Sequence, residues 1–112
     1  MGRVDEVEAD AAADLAEEGA FLLDVREDDE WSAGHVAGSV HISMGELGAR
    51  LAELPTDRRI VAVCRTGARS GAVTDALTAR GYDVVNLAGG LQGWTAEGLP
   101  LVADDGLPGS VL

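Results

Sequence analysis

The chain has 112 residues, of which 46% are hydrophobic and 25% are charged, and this size and composition fit one globular domain. Its 20 acidic residues, set against eight arginines and no lysine, give a formal net charge of −12 and disfavour binding to nucleic acid or to an anionic membrane surface. No apolar run approaches the roughly 20 residues that span a bilayer, and residues 1–19 lack the apolar centre of a signal peptide, so we expect a cytoplasmic protein.

The elements predicted along the chain alternate between helix and strand. Four compact apolar runs predict buried strands: 21–25, 38–42, 60–63 and 82–87. Helical segments are predicted around them: 11–19, 43–54, 69–81 and a short one within 88–100. This alternation predicts a parallel sheet with helices on both faces, and such sheets bind ligands beyond the carboxyl ends of their strands.

The helix predicted at 43–54 opens with a capping box. Ser43 is placed to cap the backbone N–H of Glu46, and the Glu46 carboxylate is placed to reach back. Leu47, Leu51 and Leu54 follow at helical spacing and predict one buried face.

Cys64, the only cysteine, follows directly after the predicted strand 60–63. A single cysteine excludes an internal disulfide and a Cys-x-x-Cys redox pair. The two histidines, His35 and His41, have no cysteine cluster near them, so we expect neither a zinc site nor an iron–sulfur site and no resident cofactor.

The short loop after Cys64 predicts an anion-binding cradle. Backbone N–H groups in such strand-to-helix loops point inward, and the helix predicted to begin near Ala68 or Arg69 adds the N–H groups of its first turn. A thiol in this setting has a lowered pKa, and its thiolate is a nucleophile. An inert core cysteine is the alternative, but it does not need two arginines and a glycine in the next five residues. We expect the substrate to bind the loop: Arg65, Thr66, Gly67, Ala68 and Arg69.

Two anion chemistries fit a cysteine in this position, and loop length separates them. Cysteine phosphatases place five residues between the cysteine and an arginine, whereas four residues lie between Cys64 and Arg69. The shorter loop makes a smaller cradle, which suits the outer sulfur of a persulfide better than a phosphate.

Three separated segments resemble the rhodanese family of single-domain sulfurtransferases. "CRTGARS" at 64–70 resembles the family's active-site loop, and "LLDVREDDEWSAGHVAGSVHI" at 22–42 resembles its N-terminal signature. "LAGGLQGWTAEGLP" at 87–100 resembles the C-terminal signature. The three occur in order and at normal spacing, and they cover most of residues 21–100.

The resemblance implies one rhodanese-like domain over 1–112, with a mainly parallel five-stranded sheet and helices on both faces. The fifth strand falls at 3–7, the core spans about 3–100, and 101–112 is expected to be a loosely held tail. Cys64 is the implied catalytic residue. It carries a persulfide loaded by thiosulfate or another small anionic sulfur donor, and cyanide or an external thiol, including a thioredoxin-like protein, removes the sulfur.

Other signature residues are interpreted as structural. Asp24 and Glu30 are expected to pair with arginines, Arg26 or Arg69 among them, and His35 to make a loop-holding hydrogen bond. Packing roles are expected for the tryptophans and a tight backbone course for three glycines: Trp31, Trp94, Gly89, Gly90 and Gly93. The family's common proline is Ala37 here, and His41 replaces a small or amide residue; neither departure falls in the loop 64–70.

Two alternatives stay open from the sequence. One is a non-catalytic or partner-specific sulfur-carrier module, and the other, disfavoured by the loop length, is a cysteine phosphatase or arsenate reductase. The physiological donor and acceptor and the oligomeric state are not readable from the sequence.

Overall fold

The computed structural model describes residues 5–112 and confirms the predicted α/β architecture. Five strands form one sheet in the order β1-β5-β4-β2-β3, and every pair of neighbours is parallel. The strands are β1 (Glu6–Val7), β2 (Phe21–Asp24), β3 (Val40–His41), β4 (Ile60–Val63) and β5 (Val84–Leu87). The helices are α1 (Ala9–Glu17), α2 (Asp28–Ala33), α3 (Ala68–Ala79) and α4 (Gly90–Ala96), with a 3₁₀ segment at Leu47–Glu53.

The sheet is covered on both faces, as predicted, because successive side chains of a strand point to opposite sides. On one face, Val61 and Val63 of β4 belong to a core that includes Ala12 of α1 and Trp94 of α4. On the other face, Ala62 lies in a second core with residues of α3, of the 3₁₀ segment and of the position directly after it: Val73, Leu77, Leu47 and Leu54. Within residues 5–112, no helix combines the length and the apolar character that crossing a membrane requires.

The central strand β4 positions the cysteine. All four residues of β4 are buried between β2 and β5, and Cys64 continues the strand at its carboxyl end. The fifth strand predicted at 3–7 is present as β1, which pairs Glu6 with Asn86 and Val7 with Leu87. Residues 3 and 4 of that prediction lie outside the described residues.

The capped α-helix predicted at 43–54 is wrong. The Glu46 carboxylate accepts a hydrogen bond from Arg50 Nη1 at 3.3 Å and not from the Ser43 backbone. The chain forms a 3₁₀ segment that is kinked at Arg50. Gly45 and Gly48 explain this outcome, because glycine lowers α-helix stability and leaves the conformation to tertiary packing. The buried face that includes Leu47 and Leu54 forms nonetheless.

The segment after Pro100 also differs from the loosely held tail that the sequence led us to expect. Val102 exchanges two backbone hydrogen bonds with His35, at 2.8 and 2.9 Å, and Ser110 donates to the Ala33 carbonyl at 3.0 Å. Gly34 permits this contact, since a Cβ there would lie 2.4 Å from the Ser110 carbonyl oxygen. The tail therefore pairs with the loop that follows α2.

A buried ion pair holds the end of β2. The fully buried guanidinium of Arg26 donates from Nε and Nη2 to the buried Asp24 carboxylate, each at 2.9 Å. Its Nη2 also donates to the Gly34 carbonyl at 2.7 Å, which connects β2 to the loop after α2. The sequence predicted that Asp24 pairs with an arginine, and the structure identifies that arginine as Arg26.

We predict that Asp24→Ala destabilises the protein by about 3–5 kcal/mol, because it leaves a buried guanidinium without a counter-charge. Urea unfolding measures the loss. The matched control is Asp83→Ala, whose partner Arg59 is exposed; it should cost under about 1 kcal/mol. Equal losses in the two variants would contradict the assigned role of the buried pair.

Candidate active site

The sulfur of Cys64 lies in a ring of hydrogen-bond donors at the end of β4. It accepts from the Gly67 N–H at 3.1 Å, the Ser70 N–H at 3.4 Å and the Ser70 hydroxyl at 3.2 Å. Gly67 makes the turn possible with a φ of 101°, in the left-handed region that favours glycine. The predicted cradle of inward-facing amides is therefore present, formed by the loop and the first turn of α3.

The donors around the sulfur outweigh its burial. Cys64 is only 1% exposed, and burial raises the pKa of its thiol. The Ser70 hydroxyl and the backbone N–H groups of Ser70, Gly67 and Thr66 act in the opposite direction, and together they hold the pKa below the ordinary value for cysteine. A thiol whose pKa is lowered by nearby hydrogen-bond donors is typical of a reactive cysteine.

Two carbonyl groups at the start of the same loop accept hydrogen bonds from α4, which fixes the orientation of their peptide groups. Leu91 N–H donates to the Cys64 carbonyl at 2.9 Å and Gln92 N–H to the Arg65 carbonyl at 3.0 Å. The approach requires glycine at position 90, because a Cβ there would lie 2.4 Å from the Arg65 carbonyl oxygen. The C-terminal signature therefore packs its backbone directly against the active-site loop. This close approach agrees with the tight backbone course expected of its glycines.

Arg69 is bound by α2. Its Nη1 and Nη2 donate to the two carboxylate oxygens of Glu30 at 2.7 and 2.9 Å. The bond from Arg69 outweighs burial and, with the Glu27 N–H, lowers the pKa of Glu30 to about 2. The predicted pairing of Glu30 is present, but Arg69 differs from the free anion-binding fork expected from the sequence, since its charge is already compensated.

Arg65, Thr66 and Ala68 are the exposed part of the loop. Arg65 makes no ion pair with any residue in the range 5–112. Of the two arginines predicted to attract an anion, Arg65 is therefore the one whose charge is available at the rim of the cradle.

Sequence reasoning missed a polar chain behind the sulfur. Ser70 donates to Asn86 Oδ1 at 2.6 Å, and Asn86 Nδ2 donates to the Gly67 carbonyl at 3.0 Å and to Glu6 at 3.3 Å. The signal was available: Asn86 is the one polar residue in the otherwise apolar strand β5. An amide is buried in a strand only when it finds partners.

The two histidines lie beside α2, and each forms a hydrogen bond with a backbone carbonyl. His35 Nδ1 is 2.8 Å from the Trp31 carbonyl, and His41 Nε2 is 2.7 Å from the Arg26 carbonyl. Both rings stack on Trp31, with centroid separations of 3.6 and 4.9 Å. This arrangement agrees with the loop-holding hydrogen bond expected of His35.

We predict that Glu30→Gln costs about 1 kcal/mol at neutral pH, because Arg69 is partly exposed and solvent screens the ion pair. Because folding lowers the pKa of Glu30 from 4.5 to about 2, this stability is complete above pH 4.5 and is lost as the pH falls toward 2. Chemical denaturation of both proteins across this range measures the difference. Asp28→Asn, an exposed carboxylate on the same helix, should change stability by less than about 0.5 kcal/mol; a gap that persists at the acid end would contradict the account.

Comparison with known proteins places the chain and its fold in one family. The family model for the rhodanese-like domain matches residues 8–97. The putative sulfurtransferase YtwF of Bacillus subtilis is 39% identical over 76% of this chain and 82% of its own length.

Two solved structures are similar to this one. A rhodanese-related protein from Thermoplasma volcanium is 34% identical with a TM-score of 0.80, over 89% of this chain and 99% of that one. A thiosulfate sulfurtransferase from Pseudomonas aeruginosa is 28% identical with a TM-score of 0.82, over 97% of this chain and 22% of that one. The chain belongs to the rhodanese-like domain family, and its relatives support a sulfurtransferase activity in general terms.

Proposed function

We propose that this protein transfers a sulfane sulfur from a small anionic donor such as thiosulfate to a thiol or to cyanide through a persulfide on Cys64. The observation that carries the proposal is the set of donors around the Cys64 sulfur, at 3.1, 3.2 and 3.4 Å. The same donors that stabilise a thiolate also stabilise the terminal anionic sulfur of a persulfide, provided that it occupies the same ring.

In the first half-reaction the Cys64 thiolate attacks the outer sulfur of thiosulfate. A sulfur–sulfur bond forms to Cys64 while the bond to the sulfonate breaks, and the bonding pair leaves with sulfite. The three negative charges of the reactants are conserved, one on the persulfide and two on sulfite. No proton has to move, which agrees with a site whose cysteine is poised to ionise.

In the second half-reaction an external nucleophile removes the outer sulfur. The chain has one cysteine, so the acceptor comes from another molecule. A small thiol or a thioredoxin-like protein fits the role of acceptor in the cell, and cyanide fits it in an assay. The cytoplasmic location of the protein remains a prediction. The acceptor thiolate gains the sulfur as a new persulfide, and the Cys64 thiolate is regenerated.

Recognition of the donor is assigned to the cradle and to Arg65. The protein as a whole is strongly acidic, with a formal charge of −12, so a dianion binds only where the local field is positive. The exposed guanidinium of Arg65 and the inward N–H groups of the loop supply that field. The size of the loop favours one sulfur atom over a phosphate group.

Incubation with thiosulfate should raise the intact mass of the wild-type protein by one sulfur atom, and a reductant should reverse the gain. Cys64→Ser should show no gain, because it lacks the nucleophile. Mass spectrometry of the intact protein measures both. An unchanged wild-type mass, or turnover of a phenyl phosphate that disappears in Cys64→Ser, would overturn the proposal.

Arg65→Ala should raise KM for thiosulfate several-fold, by about 1 kcal/mol of lost attraction at an exposed site, and should weaken the dependence of KM on salt concentration. The value of kcat should change less, since Arg65 steers the donor. Arg80→Ala, an exposed arginine at the far end of α3, is the matched control. Equal effects of the two substitutions would count against a local role for Arg65.

A further inference from the structure

Strand β5 contains one polar side chain, Asn86, which forms hydrogen bonds with Ser70 and Gly67 at the active site and with Glu6 on β1. Asn86 is 1% exposed. Its Nδ2 donates to the Gly67 carbonyl, a group that only accepts, so the amide orientation is fixed and Oδ1 faces Ser70. The side chain therefore presents an acceptor, at 2.6 Å, to the hydroxyl that also contacts the catalytic sulfur.

Two acceptors compete for that hydroxyl. Ser70 Oγ lies 2.6 Å from Asn86 Oδ1 and 3.2 Å from Cys64 Sγ, but a hydroxyl has one proton to donate. While Cys64 is a thiol, its S–H donates to Ser70 Oγ and Ser70 donates to Asn86, so all three groups are satisfied. After ionisation the sulfur needs the Ser70 proton, and Asn86 Oδ1 loses its donor in a buried place, which carries a free-energy cost.

We propose that Asn86 is a positioning residue that competes with the Cys64 sulfur for the Ser70 proton, so that the hydroxyl turns between them as the charge on the sulfur changes. This proposal deepens the proposed function and rests on it for its place in the cycle. The hydroxyl faces the sulfur when Cys64 is a thiolate and faces Asn86 when Cys64 is a thiol. A thiolate that receives weaker hydrogen bonds is a stronger nucleophile. By competing for the Ser70 proton, Asn86 weakens one hydrogen bond to the Cys64 thiolate and so keeps it more nucleophilic.

The other contacts of Asn86 do not account for this effect. The Gly67 carbonyl also accepts from the Gly71 N–H at 2.9 Å, so it keeps a donor without Asn86. The charged groups near the network are Glu6 on β1, which accepts from Asn86, and Arg69 on α3, which is paired with Glu30 on α2. Arg65 lies at the exposed rim.

A double-mutant cycle between Asn86→Leu and Ser70→Ala tests the proposal. The readout is the pH dependence of Cys64 alkylation by iodoacetamide, which needs no sulfur transfer, so it stands even if the proposed function fails. Asn86→Leu alone should move the inflexion to lower pH and raise the rate on its acid side about threefold. A drop of about one pH unit in the inflexion gives about ten times more thiolate on the acid side, but each thiolate reacts about threefold more slowly because its nucleophilicity falls with its pKa.

The Ser70→Ala background separates the proposal from a general structural role. There, Asn86→Leu should leave the inflexion where Ser70→Ala alone puts it, because the competing proton is gone. Val84→Ala, two residues away on the same face of β5, is the control that loosens packing without touching the network, and it should keep the wild-type inflexion. An unmoved or raised inflexion in Asn86→Leu, or an equal shift in both backgrounds, would overturn the proposal.

A measurement on the wild-type protein keeps the proposal testable if Asn86→Leu does not fold. The side-chain amide resonances of Asn86 should shift across the Cys64 inflexion as the Ser70 hydroxyl leaves Oδ1. In Ser70→Ala the same resonances should not follow the thiol. Resonances that stay constant in the wild type, or titrate alike in both proteins, would contradict the exchange of the proton.

Discussion

The backbone between Cys64 and Ser70 has to turn its N–H groups toward one sulfur atom, and much of the surrounding structure serves that requirement. Gly67 supplies the left-handed turn. Backbone N–H groups at the N-terminus of α4 donate hydrogen bonds to the carbonyls of Cys64 and Arg65, and glycine at position 90 lets the two segments approach. Amides that point inward without reorganisation are how a protein stabilises a developing anion.

Two of the arginines near the Cys64 cradle are paired with carboxylates, although the protein as a whole is acidic. Arg26 is neutralised by Asp24 inside the fold, and Arg69 is neutralised by Glu30 at the edge of the cradle. Both arginines therefore connect segments of chain, and neither contributes a free charge. Backbone dipoles together with Arg65 supply the positive field that the proposed anionic donor needs in a protein with a net charge of −12.

The sequence was sufficient where the determinants are local and insufficient where they depend on distant packing. The β4–loop–α3 cradle was predictable, because an apolar strand, a glycine and a helix start all lie within residues 60–68. The role of Asn86 was not, because it depends on β5 lying beside β4 in the sheet, 16 residues along the chain from Ser70. The capped helix predicted from Ser43 was wrong because Gly45 and Gly48 leave the conformation of that segment to tertiary packing.

The central claim is that the donors around Cys64 stabilise its thiolate despite near-complete burial. Ultraviolet titration of the thiolate band, with Cys64→Ser as the blank, measures this directly because the chain has one cysteine. The account predicts a single transition with its midpoint below the value of about 8.5 for free cysteine. A midpoint at or above that value would show that burial prevails over the donors, and it would contradict the account.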